Sequence, residues 1–128
     1  MNKNCFVIMP FSKEFDGIWE HVIRPTVLAI GDKCQRADDI FAPGAIINDV
    51  IKLIDNSDYV VADLSDPNPN VYYELGFTHA REKPAILITQ RLPALPFDLR
   101  HERVIVYKDS AAGAAALKVD LERYVAGL

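Results

Sequence analysis

Residues 63–70 read Asp-Leu-Ser-Asp-Pro-Asn-Pro-Asn, so Asp63, Ser65, Asp66, Asn68 and Asn70 are concentrated in eight positions, with Glu74 four residues further on. A loop of this composition is suited to contacting hydroxyl or phosphate oxygens. If a helix opens at its end, the free N–H groups of the first turn favour an anion without help from a lysine. The same residue types also dominate ordinary turns and helix caps for local reasons, so composition leaves both readings open. Glu74 has the most chemistry to offer. Val71, Leu75 and Thr78 face the core at helical spacing, which sets the Glu74 carboxylate at a boundary. There it is either a catalyst or a solvated glutamate paired with Arg81 or Thr78.

The elements that must position these groups alternate along the chain. Short β-rich apolar runs at residues 5–9, 59–62, 85–89 and 104–107 are separated by helix-like stretches, the pattern of a parallel sheet covered on both faces by crossover helices. The first helix is expected over residues 15–30, with Ile18, Val22, Thr26 and Ala29 down one side, Gly31 as terminator and Pro25 as a kink or break. A weaker second strand covers 33–37, and a second helix after Pro43 carries Ile46, Ile47, Val50, Ile51 and Ile54 inward. The third helix begins within Asn68-Pro69-Asn70, with either Asn68 or Asn70 as its cap. Pro93 and Pro96 mark the loop after the fourth strand, and the Ala-rich stretch 110–125 forms a last helix covering the sheet edge. Right-handed crossovers then give a three-layer, flavodoxin-like α/β fold with five mainly parallel strands in the order 2-1-3-4-5. Ligands bind where the strand order reverses. The segments placed there are Met9-Pro10-Phe11-Ser12 and residues 63–70.

Composition narrows the partners. The 128 residues, 50% hydrophobic and 25% charged, suit one domain spanning 1–128. A net charge of −4 with 14 scattered Lys and Arg residues offers no basic field for a nucleic-acid polymer. No run is long enough for a membrane span and no signal peptide is evident, so a cytoplasmic protein is expected. Cys5 and Cys34 are read as small core residues in separate strands with no second cysteine nearby. His21, His79 and His101 lack metal-ligand spacing, so neither metal nor cofactor is expected.

Three stretches carry a family resemblance: Cys-Phe-Val-Ile-Met-Pro-Phe at 5–11, Ala-Asp-Leu-Ser at 62–65, and Asn-Pro-Asn-Val-Tyr-Tyr-Glu-Leu-Gly-Phe-Thr-His-Ala at 68–80 followed by Lys83-Pro84. Together they resemble the nucleoside 2-deoxyribosyltransferase-like superfamily, particularly its bacterial TIR-like members. That group mixes glycosyl transferases, N-glycoside hydrolases and domains with no assigned reaction. The resemblance implies that Glu74 is a nucleophile toward the anomeric carbon of a nucleoside or nucleotide, with Asp63 or Asp49 positioning the sugar. Ser65, Asp66, Asn68 and Asn70 would bind hydroxyl or phosphate oxygens. An oxocarbenium-like transition state calls for an anionic carboxylate on one face of the sugar and acid assistance to the departing base. The chain departs from the transferases in two places. Asn68 stands where they have a carboxylate, and Met9-Pro10-Phe11 replaces Gly- or Ser-rich residues with a hydrophobic wall, leaving Ser12 and Lys13 for phosphate. Phe11, Trp19 and Tyr73 could stack on a base. Relatives that complete their sites with a neighbouring subunit imply a homo-oligomer. The alternatives to an N-glycosidase or deoxyribosyltransferase are a nucleotide-sensing, oligomerising signalling module and an interaction domain that has lost the site.

Overall fold

A computed structural model describes residues 2–10, 12–36, 47–91 and 104–128. The strands are β1 (Asn4–Ile8), β2 (Lys33–Arg36), β3 (Tyr59–Asp63), β4 (Ala85–Thr89) and β5 (Val104–Val106). They form one sheet in the order β2-β1-β3-β4-β5, and every neighbouring pair is parallel. The helices are α1 (Lys13–Ile18), α2 (Arg24–Ile30), α3 (Ile47–Asp55), α4 (Pro69–Ala80) and α5 (Ala111–Ala126).

Alternation along the strands divides the apolar residues between two cores. Cys5, Val7, Met9, Tyr59, Val61, Ile86, Ile88, Ile105 and Tyr107 pack with Phe15, Trp19, Val27, Leu117 and Leu121 on one face. On the other, Phe6, Ile8, Val60, Ala62 and Leu87 meet Val50 and Ile54 of α3 and Val71 and Leu75 of α4. All five residues of β3 are buried. This is the two-sided burial that its unbroken apolar run requires.

The single helix expected over 15–30 is α1 and α2 joined by a π-helical stretch, Trp19–Ile23, immediately before Pro25. Proline has no N–H to continue the α-helical ladder, and the wider turn absorbs the interruption. The wider turn also rotates the buried stripe, so Val22, Ile23, Thr26 and Val27 face inward while Ala29, expected inside, is exposed. Gly31 ends α2 in the left-handed region at φ 101°, as expected of a helix terminator. In α3, Val50 and Ile54 are buried and Ile51 is half-buried; Ile46, residue 37, Pro43, Pro93 and Pro96 lie outside the described residues, as does the side chain of Ile47. The last helix covers a sheet face, not the edge expected, because Leu117, Leu121 and Val125 join the core formed with the first helical segments. Register pairs Cys5 with Cys34 across β1 and β2, so the two cysteines read as separate core residues are neighbours.

Ser110 caps α5 by accepting the Gly113 N–H at 3.0 Å. This tight entry brings the Lys108 carbonyl over Gly113, where a Cβ would overlap the carbonyl oxygen. Alanine would gain about 1 kcal/mol of helix propensity but would force backbone apart at a cost of roughly 1–3 kcal/mol. Gly113→Ala is therefore expected to lower the thermal midpoint by about 5 °C in calorimetry; a midpoint at or above the native value would show that the turn yields.

Candidate functional site

The sheet order reverses between β1 and β3, and their C-terminal ends lead into Met9-Pro10 and residues 63–70. Asp63 closes β3 with 0% exposure. Its Oδ1 accepts the Ser65 N–H at 2.9 Å and the Ser65 hydroxyl at 2.5 Å, and its Oδ2 accepts the Tyr107 hydroxyl at 2.5 Å. Gln90 joins from the end of β4, donating its N–H to Ser65 Oγ at 2.9 Å and its Nε2 to the Tyr107 hydroxyl at 3.2 Å. Burial raises the Asp63 pKa, a rise that the Ser65 and Tyr107 hydrogen bonds only partly offset. Burial and the Asp63 charge push the Tyr107 hydroxyl up, which keeps it a donor. A carboxylate sealed in this way reaches a ligand only through Tyr107, Ser65 and Gln90, so Asp63 is placed to position the strand ends.

The loop then turns into α4. Asn68 is the N-cap, with its Oδ1 accepting from Asn70 N at 2.9 Å and Val71 N at 3.3 Å, and its backbone oxygen accepting from Tyr72 N at 3.1 Å. Pro69 has no N–H. Every donor of the first turn is thus claimed, and the free N–H groups expected to hold an anion are occupied by the cap. Asn70 is exposed and Asp66 half-buried. Asp66 lies near Tyr72, whose hydroxyl is pushed up by burial and then by that charge.

Glu74 follows on α4, half-buried between Val71, Leu75 and Thr78, which are buried as expected. Neither ordinary pairing occurs: Thr78 Oγ1 donates to the Glu74 backbone oxygen at 2.8 Å, and Arg81 pairs with Asp55 at 3.3 Å. No hydrogen bond or ion pair reaches the Glu74 carboxylate among the described residues. Burial alone pushes its pKa up to about 7. It therefore exchanges a proton near neutral pH.

The remaining expected residues divide. Asp49 is half-buried in the first turn of α3, the helix packed beside α4. Tyr73 is 60% exposed and open to stacking. Met9 is buried against Phe15 in the core and presents no wall to a ligand. Trp19 is equally unavailable to a base: it is buried, and the Arg36 guanidinium lies 5.2 Å from its ring centroid. Ser12 begins α1 without a side-chain cap, its hydroxyl 3.5 Å from Glu14 Oε1, and Lys13 is exposed. Phe11 lies outside the described residues. No cluster of metal ligands occurs among the described residues. A cavity of about 230 Å³, lined by Asn4, Phe6, Lys33, Gln35, Leu53 and Asn56, opens near the opposite, N-terminal ends of β1 and β2. It is smaller than a nucleotide site usually is and remote from Glu74's end of the sheet.

Tyr107 and Gln90 escaped the sequence reading. The available signal was position, since each directly follows a strand at the edge where α/β folds build their sites, and a buried tyrosine hydroxyl needs a partner.

The fold is the flavodoxin-like one shared by nucleoside-processing enzymes and TIR domains. A 2-desoxiribosyltransferase from Leishmania mexicana superposes with TM-score 0.64 at 23% identity, covering 92% of this chain and 97% of that one. A CMP N-glycosidase from Clostridium botulinum gives 0.69 at 17% identity, over 93% and 98%. The TIR domain of a Toll-related receptor from Hydra magnipapillata gives 0.75 at 16% identity, over 98% and 99%. No family model matches the sequence, and no curated protein gives a significant match.

Removing the Tyr107 hydroxyl strands a buried carboxylate oxygen, a loss of roughly 1–3 kcal/mol. Tyr107→Phe should accordingly lower the urea midpoint with unchanged m-value; native stability would show that the network is not holding the strand ends. Glu74 gives an opposite signature. Its pKa rises from 4.5 unfolded to about 7 folded, so the folded state binds the extra proton in that window and stability falls as pH rises through it, by up to about 1.4 kcal/mol per unit before discounting for partial exposure. Glu74→Gln should melt several degrees above the native protein at pH 8 and close to it at pH 5, and equal midpoints at both would refute the buried, unpartnered carboxyl.

Proposed function

We propose that the chain binds a nucleoside or nucleotide beside Glu74 and cleaves its N-glycosidic bond, with Glu74 as nucleophile. The observation carrying this reading is the half-buried Glu74 carboxyl, unpartnered among the described residues and pushed up to about 7, at the switch point of a fold that nucleoside-processing enzymes also have. Ionised Glu74 attacks the anomeric carbon to form a glycosyl ester as the C–N bond breaks and its electron pair leaves with the base. Water then releases the sugar in a hydrolase, or a second base takes it in a transferase. Asp63 holds Ser65, Tyr107 and Gln90 in place at the strand ends. Asn70, Asp66 and the Asn68 amide nitrogen supply polar contacts to the sugar, Tyr73 stacks on the base, and Asp49 and Ser12 add polar groups nearby. The chain acts as one domain over 1–128, in the cytoplasm and as a homo-oligomer.

A second reading, a nucleotide-sensing or oligomerising module without turnover, is favoured by two features: Asn68 is spent as a helix cap and Asp63 is sealed, so the loop offers little acid assistance to a leaving base. Liquid chromatography of products from nucleosides, nucleoside monophosphates including CMP, and NAD decides between them. Released base that disappears in Glu74→Ala, with a rate rising with pH through about 7 as the nucleophile ionises, is the expected result. No release across the panel, with binding retained in calorimetry, would move the assignment to the sensor.

A further inference from the structure

We propose that Cys5 and Cys34 form a redox-active dithiol that closes to an intramolecular disulfide by exchange with a small-molecule disulfide, clasping the edge strand β2 to β1. The two residues are register partners on adjacent parallel strands and face the same core cluster. Neighbouring strands bring paired Cα atoms to roughly 4.8 Å, inside the span of roughly 4.4–6.8 Å that a disulfide bridges. Each thiol is free, and the Cys34 side chain lies within hydrogen-bonding reach of Cys5.

Their surroundings fix the order of events. Cys5 is buried, and burial and then Cys34 hold its thiol well above the ordinary range. Cys34 is half-buried on the edge strand and meets solvent first. The Cys34 thiolate attacks one sulfur of the small disulfide, breaking its S–S bond and expelling one thiolate. Cys5, with the Tyr59 hydroxyl as hydrogen-bonding neighbour, then attacks the Cys34 sulfur and expels the second. The two protein thiols are oxidised, the reagent is reduced to two thiols, and the two protein protons pass to the expelled thiolates. Tyr59 itself donates to Asp32 at 2.7 Å, and Asp32 also accepts the Lys3 N–H at 3.1 Å, so the thiols sit on a tied-down framework. In a reducing compartment such a clasp is transient and responds to oxidant.

The test incubates the native chain with glutathione disulfide, quenches with an alkylating reagent and maps peptides without reduction. Expected are a mass loss of two hydrogen atoms, a peptide linking Cys5 to Cys34, its reversal by dithiothreitol, and a thermal midpoint several degrees above that of the reduced chain. Cys5→Ala should stall as a glutathione adduct on Cys34. An adduct persisting on Cys34 of the native chain, a disulfide-linked dimer, or two unmodified thiols would each overturn the proposal, and none of these readouts depends on Cys5→Ala folding.

Discussion

The end of the sheet that carries the candidate site is held by one buried carboxyl group. Asp63 terminates the central strand where solvent would normally begin, yet it has no exposure and accepts three hydrogen bonds. A desolvated carboxylate without partners would cost several kcal/mol, so Ser65 and Tyr107 are required neighbours. Through them the end of β3 is tied to Gln90 after β4 and to Tyr107 after β5. Side chains hung on these strand ends inherit a rigid frame, the condition for placing a reactive group to within a fraction of an ångström.

The start of α4 applies a related economy. A helix N-terminus is an anion site only while its N–H groups are free, and here Asn68 takes two of them while Pro69 removes a third. The cap fixes the loop's exit and therefore the angle at which α4 presents Glu74. It also leaves fewer free N–H groups for an anion at this corner.

Most of the fold was legible because it follows from short-range physics. Strands apolar at every position require helices on both faces, and right-handed crossovers then leave few strand orders. A cap at Asn68 or Asn70 and Gly31 as terminator follow from local backbone chemistry, and the structure selects Asn68. What was not legible depends on three-dimensional neighbours. Trp19 and Met9 have the side chains of ligand contacts but are core because the first helix packs directly on β1. The π-helical stretch rotates that helix by an amount that apolar periodicity does not encode. Cys5 and Cys34 stand 29 positions apart in sequence and touch only through strand register. Tyr107 and Gln90 gain meaning once β4 and β5 are adjacent.

Asp63 and Glu74 show why a raised pKa alone does not identify a catalyst. Burial acts on both carboxyls in the same direction. Around Asp63 the protein supplies donors to both oxygens, and the carboxyl group is tied into the strand ends. Around Glu74 the described residues supply none, and burial pushes the carboxyl up to about 7. What separates the two carboxyls is therefore the supply of donors around each, not the burial they share.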